Sequence, residues 1–283
     1  MASFTNFATL SYNGGTTNSN IVTGEILEAL TAVKTAVSAN YSAGDRITYA
    51  LSLVNTGTAA ITDYTVTDNL GGYTVGANTV YPLAYNAGTV RYYINGVLQT
   101  APTVTAGPPL TVTGLTVPAG GSAVLIYETT ATPVAPLATG SSITNTATIT
   151  GGGLTNPITA QATVETATSA ELSISKALSP TTVTENGQIT YTFVISNTGN
   201  TEATATGNVV VTDTFAPILR NIAVTYNGTA WTEGTNYTYN AATGVFTTLA
   251  GQITVPAASF TQNTDGTFTV TPGTATLVIT GTV

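Results

Sequence analysis

Along most of the chain, apolar residues alternate with Thr and Ser, the period of half-buried β-strands. The pattern is clear in "GDRITYALSLVNTG" (44–57), in "YTVTDNL" ending at Leu70 and in "GSAVLIYETTA" (121–131). Turn dipeptides at Asn95-Gly96, Asn227-Gly228 and Asp265-Gly266 separate short strands, as hairpins of a sandwich require. These signals predict an all-β chain of two tandem Ig-like β-sandwich domains, preceded by an N-terminal donor β-hairpin.

The strands repeat. "GDRITYALSLVNTG" matches "NGQITYTFVISNTG" (186–199), "YTVTDNL" matches "VVVTDTF" ending at Phe215, and "GSAVLIYETTA" matches "GTATLVITGTV" (273–283). After Ala131 the first repeat runs on into "ITNTATITGGGLTNPITAQATVET", which reads as a closing hairpin. The second repeat reaches Val283 without one. Residues 4–28, "FTNFATLSYNGGTTNSNIVTGEILE", carry the missing pattern. Thr5-Asn6 aligns with Thr144-Asn145, Ala8 with Ala147, and Leu27-Glu28 with Val164-Glu165. The expected organisation is a donor hairpin over 1–28, a complete sandwich over 29–168 and a second over 169–283 that lacks its closing hairpin.

A sandwich without closing strands exposes an edge and part of its core, which invites strand addition. Few residues separate Glu28 from the first strand near Lys34, roughly 20 Å when extended. That is shorter than a sandwich, so another molecule is easier to reach than the chain's own second domain. Phe4, Ala8, Leu10, Ile21 and Leu27 are the expected core contacts of the donated hairpin. A head-to-tail contact that does not close builds a filament. The plainer alternatives are a loose tail, or a hairpin packed on the first domain.

Both lysines of the chain occupy equivalent positions, Lys34 and Lys176. Alternation places Lys34 with Leu30, Ala32 and Ala36, and Lys176 with Leu172, Ile174 and Leu178, on core-facing sides. Asp68 shares a face with Tyr64, Val66 and Leu70, and Asp213 with Val209, Val211 and Phe215. Asn145 shares one with Ile143, Ala147 and Ile149, and Asn6 with Phe4, Ala8 and Leu10. Each domain thus calls for one inward Lys, Asp and Asn, and the second must take its Asn from a neighbouring chain.

Such a triplet suits an isopeptide bond. A neutral amine attacks the asparagine carbonyl, and a protonated acid (Asp68, or Asp213 in the second domain) shuttles protons as ammonia leaves. Burial favours the uncharged form of both groups, and proximity supplies the rest. The alternative is a buried Lys–Asp ion pair with a hydrogen-bonded Asn.

Composition narrows the function further. Of 283 residues, 13 are acidic and 5 basic, for a net charge of -8, which argues against a nucleic-acid partner. Without Cys or His there is no disulfide, no thiolate chemistry and no histidine base or ligand. No phosphate loop, nucleophile elbow or closely spaced carboxylate loop appears, so no cofactor, no metal and no turnover enzyme are expected beyond the single-turnover crosslink. "MASFTNFATL" has neither the basic nor the apolar region of a signal peptide, and no run is long enough to span a membrane.

With Lys34, Lys176, the "ITY…NTG" strands, the "VTD" motifs and the "ITN.A" closing strand in view, both repeats resemble the bacterial surface-repeat domain called domain of unknown function family eleven. The Lys/Asp/Asn pattern also resembles the self-crosslinking domains of Gram-positive adhesins and pilins. The opening "SFTNFATLSYNG…SNIVTGEI" looks like small appendage subunits of clostridial spores. That resemblance implies assembly in a mother cell, release by lysis and an extracellular spore or cell surface location. The expected partners are a head-to-tail homopolymer and other surface or spore-coat proteins, without membrane insertion. The second function weighed is a surface adhesin or carbohydrate-binding module using Tyr92, Tyr93, Trp231, Tyr237 and Tyr239.

Overall fold

The computed structural model describes residues 2–26 and 29–283. It is all-β, and among the described residues the one helical element is the single turn Ala205–Gly207. The chain forms two compact units, Met1–Ala135 with Ser142–Glu165, and Pro136–Ser141 with Thr166–Val283. The short piece Pro136–Ser141 therefore clusters with the second unit, although the sequence places it inside the first repeat.

The first unit is built from two six-stranded sheets. In one, the order is Val97–Leu98, Arg91–Ile94, Ser122–Ala131, Arg46–Asn55 and Leu30–Ala36, with Leu83–Tyr85 also pairing Ser122–Ala131. In the other it is Thr103–Thr105, Leu110–Val117, Ile61–Asp68, Ser142–Gly151, Ile158–Thr166 and Asn40–Tyr41. Burial alternates residue by residue along Arg46–Asn55 and Ser122–Ala131, as the polar–apolar alternation demands. The inward rows contribute Tyr49, Leu51, Leu53, Leu125 and Tyr127 from the first sheet and Tyr64, Leu115, Ala147 and Ile149 from the second, all essentially inaccessible.

The "NTG" motif has a structural purpose in both repeats. Asn55 Nδ2 donates to Ala59 O at 2.8 Å and Pro118 O at 3.0 Å, while its Oδ1 accepts from Gly57 N at 2.9 Å. Asn197 repeats this with Thr201 O at 2.8 Å, Pro256 O at 3.0 Å and Gly199 N at 2.9 Å. Each buried amide ties a strand end to two loops.

The second unit has a five-stranded sheet ordered Leu172–Ser179, Gln188–Asn197, Gly273–Thr282, Arg220–Tyr226 and Thr229–Trp231. Opposite stands a three-stranded sheet, Thr212–Thr214, Val245–Thr248 and Tyr237–Asn240. Its core gathers Phe193, Phe215, Leu219, Phe246, Leu277 and Ile279. The "VTD" strand of the first unit, Ile61–Asp68, is paired on both sides, by Leu110–Val117 and by Ser142–Gly151. Its counterpart Thr212–Thr214 pairs only with Val245–Thr248 among the described residues, leaving one edge open.

The N-terminal segment folds as a hairpin in two ladders, Ala2–Asn6 with Val22–Ile26 and Thr9–Tyr12 with Gly15–Asn18. Between them, Phe7 and Ala8 face three residues, Ser19 to Ile21, so the return strand carries a bulge. The closing hairpin of the first unit runs in unbroken register from Ser142↔Glu165 to Ile149↔Ile158. The N-terminal hairpin does not keep that register. Ile143 faces Val164, but Phe4 faces Gly24, and a Cβ on Gly24 would lie 2.3 Å from the Phe4 ring. A side chain at position 24 would push the exposed Phe4 ring aside. Leu27 lies outside the described residues.

Candidate functional site

Lys34 sits on an edge strand whose alternation turns Leu30 and Lys34 inward together. Asp68 ends the inward row of Tyr64 and Val66 on the opposing sheet. Lys34 Nζ donates to Asp68 Oδ2 at 2.5 Å, and the two side chains are 0% and 2% exposed. Tyr127 Oη donates to the same carboxylate oxygen, and Leu70 N–H donates to Asp68 Oδ1 at 2.9 Å. The rings of Tyr49 and Tyr127 lie 4.8 and 5.8 Å from Lys34 Nζ. Burial pulls the Lys34 ammonium down to about 8, against the opposing pull of Asp68. A lysine so placed gives up its proton far more readily than one in water.

Asn145 completes the group. Ala147 pairs Asp68 in the sheet, and Asn145 is the preceding inward residue of the same strand. Its side chain is wholly buried, yet neither Oδ1 nor Nδ2 has a hydrogen-bond partner. Tyr49 Oη is equally buried and equally unpartnered. Burial and the charge of Asp68 push both phenols above the ordinary tyrosine range, while the adjacent Asn145 amide pulls them back. The amide thus neighbours both phenols without reaching hydrogen-bond geometry with either. Native structures rarely leave buried amides unpaired, at a cost of about 1–3 kcal/mol per group. The Lys34–Asp68 ion pair is present, and the Asn145 amide beside it has no hydrogen-bond partner. Amine, carboxyl and carboxamide are brought into one buried cluster from three strands.

The second unit presents the same pair in a different setting. Lys176 hydrogen-bonds Asp213, but the side chains are 40% and 18% exposed. The Lys176 strand, with Leu172, Ile174 and Leu178, is exposed along its whole length. The Lys176 Nζ lies 4.4 Å from the Tyr191 ring centre and 5.5 Å from that of Phe215. Tyr191 takes the place of Tyr49 in the repeated "ITY", whereas Ile279 stands where the first repeat has Tyr127. No asparagine hydrogen-bonds this pair among the described residues. Asn6 lies on the N-terminal hairpin, where Phe4, Ala8, Leu10 and Ile21 are all exposed, Leu10 and Ile21 by 64% and 66%.

The two tyrosines of the centre escaped the sequence reading. The recurrence of Tyr49 and Tyr191 inside "ITY" was the available signal; nothing local marked Tyr127, whose role depends on a strand distant in sequence. The aromatic residues weighed as a ligand platform are largely absorbed in packing. Tyr92 and Tyr237 are buried, Trp231 stacks on Tyr226 with ring centres 4.8 Å apart, and Tyr239 Oη donates to Leu219 O at 2.8 Å. No helix is long and apolar enough to cross a membrane, and among the described residues no group of His, Cys, Asp and Glu could hold a metal.

No family model matches the chain, and no curated protein matches it. Its structural neighbours include Gram-positive pilin and adhesin domains, and a family 123 glycoside hydrolase from Clostridium perfringens is also among them. BcpA, the major pilin subunit of Bacillus cereus, aligns at 14% identity and a TM-score of 0.35, over 96% of this chain and 73% of BcpA. The pilus backbone RrgB of Streptococcus pneumoniae aligns at 13% identity and a TM-score of 0.36, over 86% of this chain and 55% of RrgB. The N-terminal domain of the Streptococcus gordonii adhesin Sgo0707 aligns at 15% and 0.35, over 47% of this chain and 31% of that one. All three scores lie below 0.5, and the function is argued from the chain's own residues.

Proposed function

We propose that this chain is a structural subunit of an extracellular or spore-surface filament. It polymerises head-to-tail by donating its N-terminal hairpin to the second unit of a neighbour. Lys–Asn isopeptide bonds lock the assembly, from Lys34 to Asn145 within the first unit and from Lys176 to Asn6 between subunits. One observation carries the reading. The Lys–Asp pair that is sealed beneath a closing hairpin in the first unit is uncovered in the second, beside a half-paired strand. The same chain holds out an uncovered hairpin whose first strand matches the closing strand of the first unit, with Asn6 at the position of Asn145. Pairing the two would satisfy the open edge and bury Phe4, Leu10 and Ile21 with the exposed row Leu172, Ile174 and Leu178.

Crosslinking needs only what the first unit contains. Lys34 passes a proton to Asp68 across their 2.5 Å contact. The free amine attacks Asn145 Cγ, and Asp68 relays protons from Lys34 Nζ to Nδ2 as the Cγ–Nδ2 bond breaks. The new Nζ–Cγ amide forms, ammonia leaves and Asp68 ends protonated.

Electron microscopy of the purified full chain tests the assembly. Fibres are expected from the full chain, and none from a chain lacking residues 1–22. Fibres from the shortened chain, or monodisperse monomers from the full one, would overturn it.

A further inference from the structure

Three buried polar atoms without partners in the first unit belong to two neighbouring residues: Tyr49 Oη, and Asn145 Oδ1 and Nδ2, whose amide acts on the Tyr49 phenol. Two of them belong to the carboxamide that the crosslink consumes. The third belongs to a tyrosine whose ring lies 4.8 Å from the attacking Lys34 Nζ. From this arrangement we infer that the Tyr49 hydroxyl is the donor that stabilises the oxyanion formed on Asn145 Oδ1 when Lys34 attacks. The inference rests on the crosslink proposed above.

Attack on Cγ moves the carbonyl electron pair onto Oδ1, and both Asn145 and Tyr49 are 0% exposed. An unscreened oxyanion there needs a donor already in place. Tyr127 also borders Asn145, but its hydroxyl hydrogen is committed to Asp68 Oδ2. The Tyr49 hydroxyl is uncommitted. Burial holds the Tyr49 phenol above its ordinary range, so it keeps its proton when Lys34 passes its own to Asp68. When the tetrahedral species collapses, the electron pair returns from Oδ1 to Cγ, Nδ2 departs as ammonia and Tyr49 is unchanged. The second unit keeps this tyrosine and not the other. Tyr191 lies 4.4 Å from Lys176 Nζ, whereas Ile279 replaces Tyr127. A residue needed at each crosslink would be expected in both repeats; one that tunes a single acid would not.

The test follows bond formation by intact mass after rapid refolding of the full chain, comparing the native sequence with Tyr49→Phe. Removing a hydroxyl that has no partner should leave the fold intact, and the rate should fall about a hundredfold. The midpoint of the pH–rate profile, set by Lys34, should stay put while the plateau drops, which a loosened fold would not produce. Equal rates for the two proteins would overturn the role of Tyr49 and leave the crosslink standing. A native chain that never loses ammonia would overturn both. Should Tyr49→Phe fail to fold, a single fluorotyrosine at position 49 keeps the hydroxyl and strengthens it as a donor. That variant should crosslink faster, and an unchanged rate would count against the inference.

Discussion

Lys34 and Asp68 meet at 2.5 Å in the sealed centre of the first unit, while Lys176 and Asp213 make the same contact on an open face of the second. The difference lies in what covers the pair. Strand Ser142–Gly151 lies along the Asp68 strand, and no strand takes that position beside Asp213 among the described residues.

The first expected outcome concerns mass. Because the first unit holds amine, acid and carboxamide together, the freshly folded chain should weigh one ammonia less than its sequence. A digest should contain a branched peptide joining Lys34 to Asn145. Asn145→Ala should restore the full mass. Asp68→Ala should also block the bond and cost about 3–5 kcal/mol, because a buried ion pair loses one partner. A full mass in the folded native chain would remove the crosslink from the first unit.

pH dependence follows from the lowered Lys34. In Asn145→Ala, where no bond can form, the folded lysine gives up its proton from about pH 8, whereas an unfolded lysine keeps it to about 10.5. Between those values the unfolded state binds more protons, so stability should rise with pH above 8 and be flat just below it. The buried phenols Tyr49 and Tyr127 act in reverse, staying protonated when unfolded tyrosines ionise near 10. The rise should therefore fade above roughly pH 10. Urea melts at successive pH values measure it, and Lys34→Met in the same background should abolish it.

Asn6 reports on the subunit junction. Wild-type fibres should survive boiling in detergent as a ladder or as material too large for a gel. Asn6→Ala keeps Phe4, Ala8 and Leu10, so fibres should still assemble but boil down to monomers. Each such monomer should retain the internal Lys34–Asn145 bond. Equal sensitivity of both fibres to boiling would leave donor exchange alone holding the filament.

The paired amides Asn55 and Asn197 give a purely structural expectation. Each is buried and satisfies at least two carbonyls and one N–H, and Asn197 also accepts from Glu171 N. Replacing either with Ala strands those groups and should cost about 2–4 kcal/mol. The loss should appear in the unit that carries the change, seen as local acceleration of amide hydrogen exchange. Exchange that speeds up equally in both units would refute independent roles.

Alternation alone was enough to determine the strands, the repeat and the inward direction of Lys34, Asp68 and Asn145, because a strand's two faces are set by neighbours in the chain. Turn dipeptides did the same for hairpins. At Asn95-Gly96 and Asn227-Gly228 the left-handed backbone they favour is present, with φ of 49° and 79° at each. Tertiary structure decided everything that depends on distant strands. Tyr127 reaches Asp68 over a sequence separation of 59, a contact no local pattern can encode. The register of the N-terminal hairpin, with Gly24 opposite Phe4, followed from pairing across a bulge that alternation does not announce. The identical Lys–Asp motif is sealed in one unit and exposed in the other, because burial belongs to the strands that cover a residue and not to the residue itself.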